Sequence, residues 1–188
     1  MSARERILDA AAQVMRERGV AHATTKQIAR TAGYSEALLY KHFSDKEDIL
    51  LHVLRERTPT FSTAAVPGEA TVEANLVAVA HGALRFYRHA FPMMASMVAQ
   101  PQLMAAARES LSKYGAGPQH PVTALAAYVR AEQQLGRVSA GADPNTVAAL
   151  LMGACFQQGF LRYFSDGPDF PKADAAALVR GLLPALQP

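Results

Sequence analysis

Residues 24–50 read TTKQIARTAGYSEALLYKHFSDKEDIL, and the spacing of their small, polar and apolar side chains decides the fold of the N-terminal part of the chain. Thr24 with Gln27 makes a capping pair, a hydroxyl for the third backbone N–H and an amide reaching back to the cap, so a short helix opens there. It carries Ile28 and Ala29 and stops at Gly33. Ser35 opens another helix, carried by Leu38 and Leu39 to about His42. Only Gly33 and Tyr34 intervene, too few for anything but a tight helix-turn-helix. Ser44 then caps a further helix beginning near Lys46, whose apolar positions Ile49, Leu50, Val53 and Leu54 continue until Pro59 forbids another turn.

Upstream, Ser2 and Glu5 repeat the capping pattern. Ile7, Leu8, Ala11, Val14 and Met15 recur at three- and four-residue spacing, and Gly19 stands where a left-handed residue ends a helix, which predicts a helix over about 3–18. Ile28, Ala29, Ala32, Leu39 and Phe43 supply a small core for the three-helix unit, leaving the other face of the last helix free. A short helix entering the major groove shows its N-terminal residues to base edges, and its flanks supply phosphate contacts. Tyr40, Lys41, His42 and Lys46 stand at such flanks, Lys46 near a helix N-terminus already suited to an anion.

Thr-Thr, Ile-Ala, Ala-Gly, a following Ser, Leu-Tyr, His-Phe and Lys-Glu stand in this order without insertion over residues 24–50, and the segment closely resembles the DNA-binding signature of the TetR family of transcriptional regulators. The resemblance is confined to roughly the first 55 residues; the rest is similar to the family in length and helical character only. It implies phosphate contacts from Thr25, Tyr40, His42 and Lys46. It implies base reading around Lys26, Glu36, Ala37, Leu38 and Lys41, with Ser35 at the start of the recognition helix also in the DNA-binding set. Two positions depart from the family pattern: Ala37 replaces a frequent Gly, and Leu38 a frequent Thr or Ser. Leu38 can touch a thymine methyl instead, while Glu36 either accepts from cytosine N4 or merely favours the helix dipole and reads nothing. The resemblance further implies a homodimer built on the last two helices, an approximately palindromic double-stranded DNA operator, and a repressor released by a small-molecule effector.

Half of the 188 residues are apolar, enough for a substantial core. Residues 1–58 carry 10 Lys or Arg and 8 Asp or Glu, and residues 59–188 carry 9 and 8, so charge thins sharply after a polar N-terminal module. The expected organisation is all-α: a helix-turn-helix DNA-binding domain with its connecting helix at 1–58, and a helical regulatory and dimerisation domain at 59–188. Helices are expected at about 70–89, 91–113 with a break near Pro101, 121–135, 144–165 and 173–186. Asp143 before Pro144 marks one start strongly, an acid cap with proline where a missing N–H does no harm. In the last two helices Val147, Leu150, Leu151, Ala154, Leu161, Ala176, Val179 and Leu183 exceed what one helix face needs, consistent with a dimer face.

The middle helices are rich in bulky, adaptable side chains, and five of the seven methionines fall between 93 and 152. Phe86, Met93, Met97, Phe156 and Phe160 are candidate walls of an apolar effector pocket, with His81, Arg85, Tyr128 and Gln157 as polar residues that orient the ligand. The bland alternative for each is ordinary core. No GxSxG, HExxH, GxGxxG or phosphate-loop pattern occurs, so no catalytic residue, metal or cofactor is expected. The six histidines show no i, i+3 or i+4 pairing. Cys155, the single cysteine, reads as a small buried residue in a reducing compartment. With no run of 18 uncharged apolar residues, and with early charges where a signal peptide needs its apolar stretch, the expected location is the cytoplasm, off the membrane. The alternatives are an all-helical binding module whose first three helices only pack, or a regulator without an effector.

Overall fold

The computed structural model describes residues 1–57, 65–113 and 117–188, and every regular element among them is a helix. The cut expected between 58 and 59 lies outside the described residues. Chain contacts define two compact units: Met1–Thr58 with Ala90–Ala116, and Pro59–His89 with Gly117–Pro188.

The first unit begins with α1 (Ala3–Arg18), α2 (Thr25–Ala32), α3 (Glu36–Tyr40) and α4 (Lys46–Glu56). Both capping boxes form, Ser2 with Glu5 and Thr24 with Gln27. Gly33 takes the left-handed conformation, φ 75° and ψ 29°, and its N–H closes on the carbonyls of Ala29 and Arg30. That geometry suits a residue without Cβ, and it turns the chain straight into α3. The cap of α4 is Asp45 rather than Ser44. The Asp45 carboxylate accepts the Asp48 N–H at 2.7 Å, while the Ser44 N–H donates to the Asp48 carboxylate at 3.0 Å. A carboxylate one residue further on makes the stronger, charge-assisted cap. α3 ends two residues before His42, because the Lys41 and His42 N–H groups bond Leu38 and Leu39 carbonyls in a tighter turn.

The core of this unit is formed by Ile7, Leu8, Ala11, Ile28, Leu39, Phe43, Ile49 and Leu50, with Leu103 of α6 (Pro101–Lys113) also in it. An ion-pair clamp joins α1 to α4. Arg4 donates to both oxygens of Glu56 at 2.9 and 2.7 Å, His52 Nδ1 lies 2.8 Å from the same carboxylate, and Arg57 Nε donates to Asp9 at 2.6 Å. The Arg4 and His52 bonds hold the Glu56 carboxyl well below the usual carboxylate range, Arg4 contributing most.

The second unit is built from α7 (His120–Gln134), α8 (Pro144–Phe164), α9 (Lys172–Leu186) and residues 72–89 of α5 (Val72–Ala99). The break expected near residue 90 is absent: α5 continues through Pro92 to Ala99. A proline removes one N–H and leaves the flanking turns intact, and the Ser96 hydroxyl donates back to the Pro92 carbonyl at 2.9 Å. Asp143 caps α8 by accepting from the Asn145 and Thr146 N–H groups. Leu76, Leu84, Leu125, Val129, Leu151, Cys155 and Val179 form the core. Gly159 lets α8 approach α5 closely, since a Cβ there would lie 2.7 Å from Tyr87 Cβ. Burial pushes the Cys155 thiol up to about 12.

Glu132 is the buried charged residue of this unit, 0% exposed. Its Oε1 accepts the Gly68 N–H at 3.2 Å, and its Oε2 lies 3.0 Å from Arg137 Nε without a hydrogen bond of its own. Arg137 Nη2 donates to the Ala70 carbonyl at 2.7 Å, and Asn75 Nδ2 donates to the Glu69 carbonyl and the Tyr128 hydroxyl. A polar network thus ties segment 68–71 to α7.

Candidate nucleic-acid interface

The residues that cap the two short helices of the first unit, Thr24, Gly33, Ser35 and Lys41, also face solvent. Ser35, the cap of α3, accepts the Leu38 N–H at 3.2 Å, which fixes the start of the helix with Glu36, Ala37 and Leu38 in its first turn. Leu39 turns inward and is fully buried; Ala37, Tyr40, Lys41 and His42 are exposed, Tyr40 by 52%. The division follows the helical period, because Leu39 alone of the five α3 residues is needed to seal Ile28, Ala29 and Ala32 beneath it. Lys26 is exposed in the first turn of α2, and Lys46 is half-buried at the start of α4, its Nζ 3.5 Å from the Ala21 carbonyl.

A hydrogen-bond relay crosses from α3 to α2. The Tyr40 hydroxyl donates to Thr25 Oγ1 at 3.3 Å, and the Thr25 hydroxyl donates to Glu36 Oε1 at 2.5 Å. Thr25 and Glu36 are each the first residue of their helix, so the bond also sets how the two helix starts meet. Nothing local in the sequence signals it, the partners being eleven residues apart. The sequence also gives no sign of the Arg6 guanidinium over the Tyr34 ring, 5.1 Å from its centroid, which packs α1 against the turn.

The candidate effector residues are spread over both units. Met93 and Met97 pack at the edge of the first unit's core. In the second unit His81 Nε2 lies 2.9 Å from the Phe170 carbonyl, and Arg85 Nε lies 3.4 Å from Asp169, so both meet the segment between α8 and α9. Tyr128 is buried, and burial raises its hydroxyl to about 12. The Phe86 and Phe156 rings each lie 5.3 Å from that of Tyr87, Phe160 lies 6.0 Å from Phe164, and Gln157 is exposed. Among the described residues no group of three His, Cys, Asp or Glu is placed to hold a metal ion, and no helix is long and apolar enough to cross a membrane.

Two helices joined by a glycine turn, the second exposing Ala37 and its C-terminal flank over a small core, constitute a helix-turn-helix module. Residues 7–53 match the model of the tetR family of bacterial regulatory proteins. The HTH-type transcriptional regulator SrpR of Pseudomonas putida is 46% identical over 54 residues, 29% of this chain and 25% of that protein. The chain therefore matches about a quarter of that relative's length. Two solved structures share the fold over nearly the whole chain. One is the transcriptional regulator FadR from Bacillus subtilis in complex with stearoyl-CoA, with a TM-score of 0.71, 20% identity and coverage of 97% of this chain and 99% of that one. The other is SmeT, the repressor of the Stenotrophomonas maltophilia multidrug efflux pump SmeDEF, with a TM-score of 0.71, 22% identity and coverage of 99% and 91%.

Proposed function

We propose that the protein is a sequence-specific DNA-binding transcriptional regulator, a cytoplasmic homodimeric repressor released from its operator by a small-molecule effector. The observation that carries this reading is the solvent side of α3 and its flank, with Ala37, Tyr40, Lys41 and His42 exposed and Glu36 and Leu38 half-buried, set on a buried core by the Gly33 turn. In this reading residues 1–58 bind DNA and 59–188 sense and dimerise. Thr25, Tyr40, His42 and Lys46 contact phosphates; Lys26, Ser35, Glu36, Ala37, Leu38 and Lys41 lie against base edges.

For the dimer, the support is the outer face of α8. Leu150 is 57% exposed and Phe164 80%, with the exposed Leu161 between them, while Val147, Leu151 and Cys155 of the same helix are buried. An apolar stripe over four turns is the kind of surface that a monomer rarely leaves open. Two-fold pairing presents two recognition helices to one DNA face, so the operator is an approximate palindrome. For the effector, the support is the aromatic group Phe86, Tyr87 and Phe156, together with Arg85 and His81 against the segment before α9, and the stearoyl-CoA held by a protein of this fold. An apolar compound with an anionic end suits that set. No catalytic role is assigned.

Selection of bound duplexes from a random pool tests the reading. Recovery of one approximately palindromic sequence supports it. Recovery of unenriched or asymmetric sequences refutes it. A thermal-shift screen of hydrophobic and anionic compounds, followed by operator titration, tests the effector: a compound that stabilises the protein and weakens operator binding is required.

A further inference from the structure

The Tyr40–Thr25–Glu36 relay has a consequence for how sequence is discriminated, resting on the DNA-binding reading above. A hydroxyl carries one proton. Thr25 gives its proton to Glu36, and Tyr40 gives its proton to Thr25, so both hydroxyl donors assigned to phosphates are occupied inside the protein. The relay ends on a carboxylate, which accepts from Thr25 while Thr25 accepts from Tyr40, and the Thr25 hydroxyl is what the Glu36 charge leans on. When a phosphate takes the Thr25 and Tyr40 donors, the Glu36 carboxylate loses that bond. It is then left acceptor-only, half-buried, and beside a like charge.

We propose that Glu36 is a selectivity gate: in the free protein its carboxylate holds the Thr25 hydroxyl, and through it the Tyr40 hydroxyl, which the DNA backbone requires, and it yields them at full affinity only where a cytosine amino group donates to the carboxylate in exchange. The chemistry of the groove supports cytosine, whose N4 amino group is the donor that a carboxylate pairs with at the major-groove edge. On a duplex without that cytosine the released carboxylate stays unpaired and repels the backbone, so non-cognate binding is weakened. This differs from a helix-start acid, whose removal weakens the helix and changes no preference. It also differs from a plain base contact, whose removal lowers cognate affinity and leaves random-sequence affinity alone.

The test uses the full chain, a labelled duplex selected by the wild type and a random-sequence duplex, both titrated at several salt concentrations. Glu36→Gln keeps an oxygen for the Thr25 hydroxyl and removes the charge. It is expected to tighten random-duplex binding about threefold or more while lowering the ratio of selected to random affinity at least about fivefold, the scale of one lost base discrimination. Reselection with Glu36→Gln should relax one C·G position in each half-site and no other. Tyr40→Phe, which removes a donor and keeps the charge, should weaken both duplexes alike and leave the ratio unchanged. Wild-type binding with an unchanged ratio in Glu36→Gln, or equal weakening of both duplexes, overturns the gate alone. A wild type that binds no duplex in a salt-dependent way overturns the DNA-binding reading, and the gate falls with it.

Discussion

Removing Arg137 should destabilise the second unit far more than neutralising its partner Glu132. Glu132 is 0% exposed, accepts the Gly68 N–H at 3.2 Å and lies 3.0 Å from Arg137 Nε. Arg137→Ala leaves that carboxylate buried with the Gly68 N–H and the neutral Tyr128 hydroxyl beside it and no cation. Breaking a fully buried pair in this way costs about 3–5 kcal/mol, and since the Arg137 side chain is 29% exposed, a smaller loss of about 2–3 kcal/mol is expected. Glu132→Gln keeps an acceptor for Gly68 and leaves Arg137 partly solvated and still bonded to the Ala70 carbonyl. Its cost is about 1 kcal/mol, the scale of one hydrogen bond. The double variant should then be close to Glu132→Gln, a coupling of about 2–3 kcal/mol, as large as the whole Arg137→Ala cost. Urea unfolding followed by circular dichroism gives the three free energies, with unchanged m-values showing that the unfolded state is the same. In thermal melts the Arg137→Ala shift should be about 4–12 °C for a chain of this size. A loss for Arg137→Ala no larger than that for Glu132→Gln, or additive effects, would show that the pair carries no such coupling.

Three further outcomes follow from the same geometry. The Glu56 carboxyl is held below its ordinary 4.5, first by Arg4, so its folded pKa is lower than its unfolded one; its contribution is complete above about pH 4.5 and is lost as pH falls toward the folded value. Acid titration of stability should show that loss in the wild type and a smaller one in Glu56→Gln; identical profiles would exclude the clamp. Lys46→Ala should weaken binding to all duplexes roughly alike and reduce the salt slope by about one unit, since it removes one phosphate contact, and an unchanged slope would remove Lys46 from the interface. Gly159→Ala places a Cβ 2.7 Å from Tyr87 Cβ and 3.0 Å from the Arg88 nitrogen, so α5 and α8 must part, at a cost of about 1–3 kcal/mol visible as a lower melting temperature.

What could be read from the sequence is what is decided within four or five residues. The Ser2–Glu5 and Thr24–Gln27 boxes, the Gly33 turn, and the burial of Ile28, Leu39 and Phe43 all follow from local caps and period. At α4 the competition between Ser44 and Asp45 was also local, yet it turned on charge-assisted bonding that residue type alone does not rank. The helices expected at about 70–89 and 91–113 meet without a break, since the one N–H missing at Pro92 leaves α5 continuous. The Arg4–Glu56 clamp and the Glu132–Gly68 bond join residues 52 and 64 apart, and no periodicity announces them. Apolar surplus in the last two helices was legible as surplus but not as faces: Val147, Leu151 and Val179 belong to the core, while Leu150 and Leu161 are exposed. Composition likewise grouped Met93 and Met97 with Phe156 and Phe160, whereas the fold packs the two methionines at the first unit's core.

The most direct test of DNA recognition by this module is anisotropy titration of a labelled selected duplex against salt concentration, with a scrambled duplex beside it. The expected result is tight binding to the selected duplex, affinity falling linearly on a log–log plot with a slope that reflects several phosphate contacts, and weaker binding to the scrambled duplex with a similar slope. Binding that ignores salt, or that is equal for the two duplexes at every salt concentration, would contradict the account.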